Sequence, residues 1–238
     1  MKRPRLGMIL WLGLDEAIHL KVPWLCVLAG VTLLLAAMSL RDVSFGLDET
    51  RFLREIASSL SICFVLLQSV FLSDELLGSP AARRRAGMMF VRGVPRLEWF
   101  AARCGAIVAS AAVLAVVVQG IASGRQGGNP GANLMLDVLR SFQVTSFAVL
   151  GSVLGERTVM AGAVTLGLTV ASALLGMSVL FPVGSGEWWP YLTAILGRII
   201  PPLPSDATMA NWASGSVTLL HVVIVYLVAA AAYVRREF

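Results

Sequence analysis

Residues 22–40 read VPWLCVLAGVTLLLAAMSL, a run without a single charged side chain. As a helix rising 1.5 Å per residue, it reaches roughly 28 Å, about the thickness of the hydrocarbon core of a bilayer. Two further runs repeat the pattern: IASSLSICFVLLQSVFLS over 56–73 and CGAIVASAAVLAVVVQGIA over 104–122. A fourth, 134–154, is weaker because Asp137, Arg140 and Gln143 interrupt its first half. The chain is then free of charge from Thr158 to Gly186, which accommodates a fifth crossing over 159–181. A sixth, 214–234, ends against Arg235 and Arg236. The expected fold is an all-α integral membrane protein with six transmembrane helices in one domain.

Composition points the same way. The 238 residues are 57% hydrophobic and 14% charged, with mean hydropathy +0.80, whereas soluble domains carry about 25% charged residues. Six crossings use about 120 residues and leave no room for a large extramembrane domain. The net charge of +5 and pI near 9.6 reflect arginines retained on one side of the membrane, and nucleic-acid binding is not expected. Cys26, Cys63 and Cys104 are odd in number, far apart and set in apolar runs. They support neither a disulfide framework nor a metal site and read as small core residues.

Before the first crossing, Leu6, Ile9, Leu10, Gly13, Leu14 and Ala17 fall close to one helical face, with Arg5, Asp15, Glu16 and His19 largely off it. This pattern predicts an interfacial helix over 5–18. The short stretch MILWLGL runs into Asp15 and Glu16 with no small-residue cleavage site, so a cleaved signal peptide is not expected. With the N-terminus inside, Lys2, Arg3, Arg5, Lys21, Arg83, Arg84, Arg85, Arg92, Arg96, Arg103, Arg157, Arg235 and Arg236 lie on the cytoplasmic side. Arg41, Arg51, Arg54, Arg125 and Arg198 lie outside. That excess places both termini in the cytoplasm.

The segment 73–103, SDELLGSPAARRRAGMMFVRGVPRLEWFAAR, is far longer than a connection requires. It holds Glu75, a Gly78-Ser79-Pro80 break, the triplet Arg83, Arg84 and Arg85, and the apolar cluster Met88, Met89, Phe90 and Val91. Arg92, Gly93, Pro95 and Arg96 follow, and Leu97, Glu98 and Trp99 start the next helix. The apolar cluster needs burial against the chain's own spans or against another protein. Composition alone fits equally an interfacial helix with snorkelling arginines.

The order of these residues resembles the permease subunits of ABC-2-type exporters. In that family an acidic residue and a glycine close the second span, and a short apolar helix follows. A Pro-x-x-x-x-aromatic stretch then enters the third span. Glu75, Gly78, Met89 to Val91, Val94-Pro95-Arg96, Glu98, Phe100 and Arg103 carry the likeness, which is tightest from Pro95 to Arg103; residues 79–87 are richer in arginine than the family pattern. The resemblance implies an exporter transmembrane domain in a bacterial inner membrane, paired with a second permease copy as a homodimer and served by two copies of a separate ATP-binding-cassette ATPase. ATP and Mg would be held by that partner, and residues 74–103 would contain the coupling helix that docks on it. The residues themselves add that the chain has only Lys2 and Lys21, neither following glycine, and hence no phosphate-cradling G-x-x-x-x-G-K-[ST] loop. No cofactor or metal is expected on this chain.

Residues 184–213 form a second long segment, in which Trp188, Trp189 and Tyr191 suit a membrane interface and Pro201, Pro202 and Pro204 stop a stretch too short to cross. It is either an aromatic anchor loop or, as the resemblance implies, an outer gate. Asp137 and Arg140 stand three apart on one helical face, with Gln143 about a turn deeper. They form either a polar strip along a translocation path or an outer-leaflet ion pair. Gln68 and Gln119 read as hydrogen-bonding partners of neighbouring helices, and His221 as a packed neutral histidine. No G-x-S-G, H-E-x-x-H or mid-span acidic pair points to an intramembrane hydrolase, so no catalytic residues are assigned. A non-transporting anchor or regulator of an ATPase, and a haem-exporter-type permease of cytochrome c maturation, remain the competing readings.

Overall fold

The computed structural model describes residues 6–39, 49–123, 130–155, 158–178, 200, 203–204 and 212–235. Among them the chain is helical: α1 (Leu6–His19), α2 (Lys21–Ser39), α3 (Glu49–Ser73), α4 (Pro80–Val91), α5 (Arg96–Ser123), α6 (Pro130–Leu154), α7 (Thr158–Ser178) and α8 (Trp212–Arg235). A single π-helical turn, Asp74–Gly78, joins α3 to α4. Among the described residues, five stretches are long and apolar enough to cross a membrane: Lys21–Ser39, Phe52–Gly78, Arg96–Ala122, Asn133–Leu154 and Ser216–Arg235. The apolar stretch Val159–Leu175 of α7 coincides with the expected fifth crossing but is shorter than these five.

The distribution of side chains is that of a multi-pass membrane protein. Gln68, Ser69, Ser73, Asp137, Gln143, Thr145, Ser146, Thr165 and Ser172 are buried, whereas Trp24, Leu25, Leu28, Leu35, Leu220 and Leu227 are exposed. In water such an exterior would drive aggregation; in hydrocarbon it costs nothing, and the polar groups inside bind helix to helix. On α2, Cys26, Gly30, Leu34 and Met38 form the one buried stripe, the i, i+4 spacing of a helix packed along a single side. Cys63 departs from expectation. It is exposed on α3 while Cys26 and Cys104 are buried, and all three are free thiols. Its small size fits the core, but its register puts it between the inward Ser61 and Val65.

α6 lies at the centre, packed against α3, α5, α7 and α8. Small residues allow the close approaches. An added Cβ at Gly151 would stand 2.8 Å from the Ala161 carbonyl oxygen of α7, and one at Gly155 would stand 3.1 Å from the Ala161 nitrogen. This pair is a small-xxx-small contact in which the two backbones nearly touch. At the same end of the bundle, α1 sits on α5 through Gly13, whose Cβ would meet Ala106 Cβ at 3.3 Å. Ile9, Gly13 and Ala17 are buried there, the face expected of the interfacial helix. Gly151→Ala is therefore expected to lower the unfolding temperature of the detergent-solubilised protein, at a cost of about 1–3 kcal/mol for overpacking. Gly167→Ala on α7, where an added Cβ meets nothing within 4 Å, serves as the control and should be neutral. Equal effects would contradict the close α6–α7 contact.

Candidate functional site

Two polar constellations stand out, one at the α1 end of the bundle and one inside it. The first is organised by α4. Ser79 caps this helix, its Oγ accepting from the Ala82 amide at 3.1 Å, and Pro80 occupies the first turn where no amide partner is needed. The helix ends at Gly93, whose φ of +82° is accessible to glycine at little cost. There the Gly93 amide donates to the Phe90 carbonyl at 2.9 Å and the Val94 amide to the Met89 carbonyl at 3.1 Å. This paired closure is followed by Pro95, which cannot continue the helix. Before α4, the Ser79 amide donates to the Asp74 carbonyl at 2.6 Å to close the wide turn. Gly78 leaves the room this turn requires, since a Cβ there would stand 2.7 Å from Asp74 Oδ1.

The residues expected in the coupling segment divide into two sets. One set ties α4 to the bundle. Arg83 Nε donates to the Gly78 carbonyl at 3.1 Å and Arg85 Nη2 to the Glu75 carbonyl at 3.0 Å. Arg85 also pairs with Glu16 of α1 at 2.8 Å. Glu16 in turn pairs with Arg103 of α5, whose side chain is buried and lies 4.2 Å from the centroid of the Trp99 ring. Arg96 donates to the Val234 carbonyl at 2.8 Å, capping the end of α8, and stacks over Phe90 at 5.6 Å. Gly78 and Trp99 are buried, and Met89 and Phe90 pack against the same apolar cluster. The other set faces outward: Glu75, Arg84, Arg92 and Pro95 are exposed, as are Met88 at 59% and Val91 at 90%. Glu98 is half-buried between them.

The Glu16, Arg85 and Arg103 cluster joins three helices, and sequence reasoning did not pair its members. Glu16 and Arg103 are 87 positions apart, and each looks like an ordinary interfacial charge. The one available signal is Arg103 itself, a charge inside an otherwise apolar helix turn, which must find a counter-charge if its side chain is enclosed.

The second constellation lies within the bundle. Asp137 is 2% exposed, and its carboxylate accepts from Ser58 Oγ at 3.0 Å, from Gln119 Nε2 and from Arg140 Nη1 at 3.1 Å. Arg140 also donates to Ser58 Oγ, and through Nε to the Pro204 carbonyl at 2.8 Å. Asp137 and Arg140 thus face the inside of one chain, among α3, α5 and α6. Gln143 continues the strip by donating to Ser172 Oγ of α7 at 2.9 Å. Gln68 Nε2 donates to Ser110 Oγ at 2.6 Å, joining α3 to α5. Gln119, read alone as a helix-to-helix donor, belongs to the Asp137 group. His221 is half-buried, with Nδ1 2.9 Å from the Val217 carbonyl. Trp188, Trp189, Tyr191, Pro201 and Pro202 lie outside the described residues. Beside them, Leu203 donates to the Ser172 carbonyl at 3.2 Å, so residues 203–204 reach the same polar group.

Among the described residues no cluster of three His, Cys, Asp or Glu could hold a metal ion, and the one hydroxyl set against a carboxylate, Ser58 on Asp137, is also held by Arg140. Both constellations tie helices together: the first joins α1, α4 and α5, the second α3, α5 and α6. Glu16→Gln leaves Arg103 enclosed without a counter-charge and is expected to destabilise the protein by about 3 kcal/mol. The double variant Glu16→Gln/Arg103→Met should recover part of that loss, because the enclosed charge is gone. Thermal unfolding in detergent measures both, and a double variant less stable than Glu16→Gln alone would refute the ion-pair account. No family model matches the chain, and the curated proteins contain no match to it.

Proposed function

We propose that this chain is the membrane-spanning permease subunit of an ATP-binding-cassette exporter of the ABC-2 type. It crosses the inner membrane of a bacterium six times with both termini in the cytoplasm, works as a homodimer, and takes its energy from two copies of a separate ATPase that bind ATP and Mg. The observation that carries this reading is α4. It is a short helix between two spans, fixed to the bundle on one side and presenting Arg84, Met88, Val91 and Arg92 on the other. A surface of arginines around exposed apolar side chains suits a partner groove with an acidic rim. Closure of the ATPase pair would displace α4, and three attachments would carry the movement inward. These are the π-helical turn into α3, the Arg85–Glu16 pair into α1, and Arg103 into α5.

A second reading, a membrane anchor or regulator that binds the ATPase without moving a substrate, is favoured by one specific observation. The carboxylate of Asp137 and the guanidinium of Arg140 are paired inside a single chain, rather than lining an open path.

The two are separated on a complex isolated from its native membrane. Val91→Asp, at a position 90% exposed, is expected to abolish association with the ATPase and stimulation of its ATP hydrolysis, with the unfolding temperature unchanged. Retained association, or nucleotide hydrolysis by the purified chain alone, would overturn the proposal. In a Cys63→Ala background, Ser146→Cys on the buried face of α6 should become reactive to a water-soluble thiol reagent during ATP turnover if the chain transports. Persistent protection alongside normal ATPase binding would support the anchor.

A further inference from the structure

Between α1 and the α4–α5 turn runs a groove of about 500 Å³, within the ~300–1,000 Å³ range of small-ligand sites. Its walls are apolar: Met8, Trp11 and Leu12 on one side, Met89 and Val94 on the other. Two charges of opposite sign, Asp15 and Arg92, stand on its lips. Met8 and Trp11 are 72% and 71% exposed, so the groove opens outward. Its level in the fold is set by α1, whose opposite face packs on α5 at Ala102 and Ala106. That is where the charged first turns of α5, with Arg96, Glu98 and Arg103, give way to its long apolar stretch. In a multi-pass membrane protein this boundary is the head-group layer, where acyl chains and head-group charges are both at hand.

We propose that this groove is a binding site for a phospholipid whose head group carries a primary ammonium, as in phosphatidylethanolamine. An acyl chain would cover the Met8, Trp11 and Leu12 wall, the phosphate would meet the Arg92 guanidinium, and the ammonium would meet the Asp15 carboxylate. The charge pattern selects this occupant. A single cation beside an apolar groove would accept any phospholipid, but an anion on the facing lip repels head groups of net negative charge. It also rewards one with N–H donors, which the quaternary ammonium of choline lacks. Arg92 is exposed and has no ion-pair partner among the described residues. Asp15 has His19 Nδ1 at 3.5 Å, a pair that is ionic only when the imidazole is protonated. Both lip charges therefore remain open to a zwitterion. The inference does not depend on the exporter reading, only on the chain being embedded in a membrane; Arg92, at the border between the groove and the outward face of α4, is the one residue the two share.

The full chain is purified in mixed micelles holding equal amounts of phosphatidylethanolamine, phosphatidylglycerol and phosphatidylcholine with identical acyl chains, and retained lipid is identified by native mass spectrometry. The wild type should retain phosphatidylethanolamine at least about tenfold over phosphatidylcholine, the preference worth one charge-assisted hydrogen bond. Asp15→Asn should erase that preference and raise the phosphatidylglycerol share, Asp15→Glu should restore it, and Arg92→Gln should reduce retention of all three. Equal retention of the three lipids by the wild type would overturn the site, as would a preference that survives both Asp15→Asn and Arg92→Gln. So would a groove filled instead by a second copy, seen as a lipid-free dimer that Trp11→Ala dissociates.

Discussion

A carboxylate placed among apolar helices has to be partnered, and the architecture of this protein follows from where Asp137 finds its partners. Ser58 reaches it from α3, Gln119 from α5 and Arg140 from its own helix. An unpaired charge at such a place costs several kcal/mol even in a protein interior, so the three helices are bound into one arrangement. α6 is consequently enclosed, and two more of its polar groups, Gln143 and Thr145, bond outward to Ser172 of α7 and Tyr226 of α8. One helix with polar sides thus gathers its neighbours, and they turn their apolar faces to lipid.

The α1 end of the bundle obeys a different constraint. There α1 meets α5 through residues with almost no side chain, beside an apolar cluster that includes Trp99, Phe100 and Tyr233, and charge adds specificity. Gly13 lets α1 lie against Ala102 and Ala106, which brings Glu16 between Arg85 and Arg103. α4 has only Ala82 and Ala86 fully buried, with Met89 and Phe90 partly buried against the apolar cluster. Its seating relies on the caps at Ser79 and Gly93 and on the arginine contacts to Glu16, Gly78 and Glu75.

How much of this was legible in the sequence differs by region, for physical reasons. The five long apolar stretches were legible because uncharged length is a one-dimensional property, and α2 and α8, with only 22% of their spans buried, leave most of their surface to lipid. α6 looked the weakest because Asp137, Arg140 and Gln143 dilute its hydropathy. It is the least apolar of the five long stretches because it faces helices rather than lipid, so the same residues that blurred the sequence signal mark the centre of the fold. The boundaries of α4 were written in Ser79-Pro80 and Gly93-Val94-Pro95, whose chemistry is local. The Glu16–Arg103 pair and the Ser58–Asp137 bond span 87 and 79 positions, and no periodicity connects residues so far apart. Cys63 was misplaced for a related reason: composition gives a residue's size and polarity, whereas the side of α3 it occupies depends on which neighbours that helix meets.

The Asp137 group also bears on how the chain is built. Both non-helical-neighbour donors to the carboxylate, Ser58 and Gln119, precede it in the chain, and synthesis runs from the N-terminus. When α6 emerges, the hydroxyl and amide that will solvate its anion are already lodged in the earlier helices. A segment too polar to partition well by itself thus meets a prepared receptor, and its entry into the bilayer becomes an act of assembly rather than of partitioning.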